Sequence, residues 1–100
     1  MNEAQTRSLK VANIIQKQIG LWALAEVGAR DFGFGANSLV FTAKPLTRLV
    51  VVTITLDASD TYSLSVVQKS NGKGLYVAEN IYADQVGEIV RGLASILGGE

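Results

Sequence analysis

The sequence predicts an α+β fold: a single domain over residues 1–100, with an antiparallel sheet of four to five strands carrying the N- and C-terminal helices on one face, in the order α-β-β-β-β-β-α. Three observations predict it. Apolar residues recur at helical spacing near the two ends of the chain. Between them lie β-branched and alternating runs, which read as strands. The connections between those runs are too short for crossover helices, so neighbouring strands pair antiparallel.

The first helix is read from Glu3 to Ile19. Val11, Ile15, Ile19 and Trp22 fall at i, i+4, i+8 and i+11 with Leu9 and Ile14 beside them, and polar residues such as Gln5, Lys10, Lys17 and Gln18 fill much of the rest. This phase puts Trp22 in the core. Gly20 is a stop or kink, and "LWALAEVG" is a second short helix or a continuation ending at Gly28. A hairpin follows, with strands at 30–34 and 38–43 and the turn residues "GAN" between them. Pro45 closes the second strand because it cannot donate to a ladder. "TRLVVVTITL" is the strongest strand, "TYSLSVVQK" alternates cleanly, "SNGKG" is a hairpin loop, and "LYVAE" is a short last strand. Ile81, Val86, Ile89, Val90, Leu93, Ile96 and Leu97 form the stripe of a final helix that stops at Gly98 and Gly99.

Composition narrows the chemistry. The chain is 48% hydrophobic and 18% charged, which suits a packed domain and not a disordered one. Nine basic and nine acidic residues cancel, so no excess charge advertises a polyanion or a membrane, and little keeps two copies apart. There is no cysteine and no histidine. Disulfides, thiolate metal sites, cysteine nucleophiles and a Ser-His-Asp triad are thereby excluded. The polar N-terminus lacks an apolar signal region, and the run "LVVVTITL" is too short to span a bilayer. The expectation is a cytoplasmic protein that is not an enzyme, with no cofactor and no metal.

Asp57 and Asp60 sit between two alternating strands, where short acidic side chains accept backbone hydrogen bonds and stabilise a turn. A hard-cation site would need more oxygen ligands than this stretch supplies. "SNGKGL" has glycines and Lys73 but precedes a strand, unlike a phosphate loop, and "GFG" at 33–35 lacks the dinucleotide-binding context. Tyr62, Tyr76 and Tyr82 are expected half-buried, ring inward and hydroxyl wet. Arg30, Arg48, Arg91, Lys44, Lys69 and Lys73 make a basic patch only if the fold gathers them. Val51, Thr53, Thr55, Ser63, Ser65 and Val67 should form the sheet face away from the helices, an uncharged candidate interface for a protein partner or a second copy.

The stretches "IIQKQIG…ALAEVGARDF", "VTITLDASDTYSLSV" and "IYADQVGEIVRGL" together resemble a family of small phage- and prophage-encoded proteins. The matching positions are Gly28, Ala29, Arg30 and Phe32; Thr53, Ile54, Thr55, Leu56, Asp60 and Tyr62; and Tyr82, Ala83, Asp84 and Gln85. They span about Ile14 to Leu93. Thr61 stands where the family carries an apolar residue. The resemblance implies a phage-derived cytoplasmic protein, transfers no catalytic residue, and makes Asp60 part of a recurrent Asp-x-Tyr hairpin. The expected function is non-catalytic protein–protein interaction, as a homo-oligomer or with another protein. The alternative is a nucleic-acid-binding accessory role through Lys69, Lys73 and Arg91.

Overall fold

A computed structural model describes residues 3–98. Helices α1 (Glu3–Ile19) and α2 (Leu21–Glu26) precede strands β1 (Arg30–Phe34), β2 (Ser38–Ala43), β3 (Val50–Leu56), β4 (Tyr62–Gln68) and β5 (Gly74–Ile81), and helices α3 (Ala83–Arg91) and α4 (Leu93–Gly98) follow. The strands form one antiparallel sheet in sequence order, β1-β2-β3-β4-β5. The α+β architecture, the five strands and the terminal helices on one face stand as the sequence predicts, and the first hairpin keeps its predicted bounds.

One core joins the two layers. Alternate residues of the central strands point into it: Leu39, Phe41 and Ala43 from β2, Val50, Val52 and Ile54 from β3, and Tyr62, Leu64 and Val66 from β4. The helices meet them with Ile15 and Ile19, Leu24, Val86 and Val90, Leu93 and Leu97. Burying such side chains at about 1.5–3 kcal/mol each is what holds a chain of this size together.

The helix ends follow local chemistry. Glu3 in the first turn and Lys17 in the last turn of α1 both suit the helix dipole. Helix α2 closes in a Schellman arrangement: the Gly28 N–H donates to the Ala25 carbonyl at 3.1 Å and the Ala29 N–H to the Leu24 carbonyl at 2.9 Å, with Gly28 at φ +65°. The Gln85 side-chain oxygen accepts the Tyr82 backbone N–H at 3.1 Å and opens α3.

The structure corrects several expectations. Trp22 is not core: it is 81% exposed. Gly20 takes φ +89° and breaks the helix, so the stripe of α1 is not carried into α2, where Ala23 and Leu24 take the buried positions instead. Ile81 belongs to β5 and not to the last helix, and that helix is two pieces meeting at Gly92. Strand β5 runs through Ile81 because a bulge at its end, with Asn80 at φ +55°, restores the inward phase. Ile89 is only half-buried. Of the tyrosines, Tyr76 is half-buried as expected, while Tyr62 is buried and Tyr82 exposed.

Candidate functional site

The sheet face away from the helices is a lattice set by the strand register. Three cross-strand pairs, Val51↔Val67, Thr53↔Ser65 and Thr55↔Ser63, occupy its centre, and all six residues are partly exposed. The register extends the rows outward. Val40 pairs with Thr53 on one side, and Val77 with Ser65 on the other. The row Gly33–Val40–Thr53–Ser65–Val77 therefore crosses the whole sheet without a charge. Val77, on the edge strand, is 67% exposed. This is the face on which the sequence places the candidate interface, and the fold brings all six of its residues together.

The two edges differ. Strand β1 has five residues and is interrupted by a bulge with Asp31 at φ +55°, which blunts it as a pairing edge. Above its inner side Phe32 tilts against Phe41, ring centroids 5.6 Å apart.

Asp57 and Asp60 sit in a turn as expected, but its N–H bonds run to backbone carbonyls and not to their carboxylates. The Asp57 N–H donates to the Thr61 carbonyl at 2.8 Å, and the Asp60 N–H to the Asp57 carbonyl at 3.0 Å. Asp60 sits at φ +62°, a conformation aspartate tolerates better than most residues. The Ser63 hydroxyl donates to Asp57 Oδ2 at 2.7 Å and closes the turn onto β4. Beneath it, burial and then the nearby Asp60 charge raise the Tyr62 phenol above its ordinary pKa. No group of three or more metal-ligating side chains occurs among the described residues. No helix among them is long and apolar enough to cross a membrane.

The basic candidates part company. Lys69 and Lys73 lie on the β4–β5 hairpin, whose loop is closed by the Gln68 N–H to the Lys73 carbonyl at 2.8 Å and by Gly72 at φ +72°. Arg91 stands on the helical layer. It is paired with Glu26 at 3.4 Å and lines a shallow groove with Glu88. Its charge is answered locally.

Sequence reasoning missed one surface. Leu21 is 80% exposed beside the exposed Trp22, at the elbow where α1 gives way to α2. Leu21 forms part of two grooves, one of about 530 Å³ with Asn13, Gln16 and Lys17, the other of about 480 Å³ with Ala25 and Phe32. The signal was Gly20: a break there resets the helical phase and turns both residues outward.

No family model matches the chain, and no curated protein or solved structure matches it significantly. The functional reading rests on the geometry.

Proposed function

We propose that this protein is a non-catalytic interaction module of the phage-encoded kind its sequence resembles, and that its open sheet face seats a second copy of the chain. The observation that carries the reading is the uncharged lattice centred on Thr53 and Ser65, left bare because all the helices lie on the other side. The row through Thr53 and Ser65 carries no charge, so two copies meet there without like-charge repulsion, with Arg30 at the β1 end of the next row and the Asp57 carboxylate at the margin on Ser63. Two sheets pack face to face at about 10 Å when small and β-branched side chains interdigitate. Strand spacing and length give the face about 550 Å² of flat projection. A pleated surface exposes more area than its projection, so a two-fold pair falls within the roughly 1,200–2,000 Å² buried by specific interfaces.

The reading is non-catalytic because the lattice joins threonine, serine and valine: the Asp57 carboxylate that accepts the Ser63 hydroxyl closes a turn, and the sequence has no histidine to activate a serine. Sedimentation velocity over a wide concentration range tests it. A monomer–dimer equilibrium is expected, and a monomer at every concentration would contradict it.

A further inference from the structure

At the end of the sheet opposite the Asp57–Asp60 turn, two loops lie side by side. Val50 pairs with Gln68, and the Lys69 N–H donates to the Leu49 carbonyl at 3.1 Å, so the β2–β3 and β4–β5 connections are neighbours. Between them is a groove of about 390 Å³ lined by Lys44, Thr47, Arg48, Gln68, Lys69 and Ser70 among others. Three cations and two hydroxyls face it, with no carboxylate.

Among the described residues these cations have no anionic partner. The two ion pairs among the described residues, Arg30–Asp31 and Arg91–Glu26, involve none of them. The bonds that shape the groove are neutral at the other end: Arg48 donates to Gln68 Oε1 at 3.4 Å, and Gln68 Nε2 donates to Ser70 Oγ at 2.9 Å. Glu26 is next to Val27, whose carbonyl accepts the Lys44 N–H at 2.9 Å, but its carboxylate is engaged by Arg91. Asp57 and Asp60 lie a full strand away, about 20 Å at 3.3–3.4 Å per residue. That is more than twice the roughly 8 Å over which charges feel one another at physiological salt. Among the described residues, the groove at this end of the sheet thus carries positive charge with no carboxylate against it.

We infer that this groove binds a phosphate group, held by Lys44, Arg48 and Lys69 with Thr47 and Ser70 as hydroxyl donors. Phosphate suits the set because its oxygens accept several charge-assisted and neutral hydrogen bonds at once, and arginine can meet it in two-pronged fashion. The phosphate is either free or part of a nucleic-acid backbone. Lys73, on the same hairpin, extends the positive track for the second source. The site is separate from the open sheet face, so its failure leaves the self-association reading standing, and the reverse.

The test uses the whole chain and two probes. Inorganic phosphate is compared with chloride at equal ionic strength in a thermal melt, and a mixed-sequence single-stranded oligonucleotide is titrated by anisotropy from low to moderate salt. The variant is Lys44→Gln/Lys69→Gln, both exposed positions, with circular dichroism confirming its fold. A phosphate-specific rise in melting temperature that the variant loses supports the site with free phosphate as its source. Oligonucleotide binding that the variant loses, weakening with salt at a log–log slope of about −0.7 per contacted phosphate, supports it with backbone phosphate as its source. The inference is overturned if neither probe binds, or if the variant responds as the wild type does. It is also overturned if copies associate at low salt and both the variant and Asp60→Lys abolish this, because the groove then takes the acidic end of another copy.

Discussion

Gly87 of α3 lies against the end of α1 so closely that a Cβ on it would stand 2.6 Å from the Ile19 carbonyl oxygen. The two helices cross through this bare spot, and the crossing sets how α3 covers the sheet. Gly87→Ala brings two effects of opposite sign. Alanine favours a helix interior by about 1 kcal/mol over glycine. Overpacking against backbone, which cannot rotate away, typically costs about 1–3 kcal/mol. The clash is expected to win, and denaturant titration should show a less stable protein. A gain in stability would mean that the two helices separate at little cost.

Leu93→Ala should be among the most damaging truncations. Leu93 is fully buried at the start of α4, in the core shared with the sheet. Buried Leu→Ala changes cost about 2–5 kcal/mol, and a domain of this size moves its melting temperature by about 4–8 °C per kcal/mol. Asp57→Asn should change little, because an amide oxygen can still accept the Ser63 hydroxyl. Melts of the two variants beside the wild type check both outcomes.

Alkaline pH should destabilise the protein through Tyr62. Its phenol is raised in the folded state, by burial first and by the Asp60 charge second. The sign follows from linkage: the neutral phenol favours the fold fully below the unfolded tyrosine pKa of about 10, and that contribution is lost as pH rises through the higher folded value. Ultraviolet titration should find the Tyr62 phenol ionising above the usual tyrosine value of about 10, a step that Tyr62→Phe removes. Tyr62→Phe should flatten the fall of melting temperature with pH above about 10. An unchanged slope would contradict the assignment.

Trp22 is the sole tryptophan and reports on its own surroundings. Its emission should be that of a water-exposed indole, readily quenched by acrylamide. Trp22→Ala should alter stability by no more than about 0.5 kcal/mol, as for other exposed positions. Concentration should not shift the emission if copies meet through the sheet. A blue shift on association would move the contact to the Leu21–Trp22 elbow.

The layered fold was legible because period-two and helical apolar spacing are read one element at a time. Ile54 and Leu64 point inward, and Thr53 and Ser65 outward, by alternation alone, and the six face residues followed from it. What failed to read crosses an element boundary. Trp22 keeps the α1 stripe on paper, but Gly20 rotates the chain by a backbone angle the spacing does not encode. Ile81 matched the last helix by spacing and was claimed by a bulged strand. The grouping of Lys44, Arg48 and Lys69 needs the side-by-side packing of two loops, a tertiary fact set by the Val50↔Gln68 register. The sequence could name these cations as candidates for a patch without placing them together.

The central claim is that the open face joins two copies, and Thr53→Arg tests it most directly. Thr53 lies opposite Ser65 at the middle of the face, partly exposed and outside the core. Multi-angle light scattering and a thermal melt on the same sample separate association from folding. The account predicts a wild type whose mass rises toward a dimer with concentration, and a Thr53→Arg protein that stays monomeric while its melt remains cooperative. A Thr53→Arg protein that associates as the wild type does would contradict it.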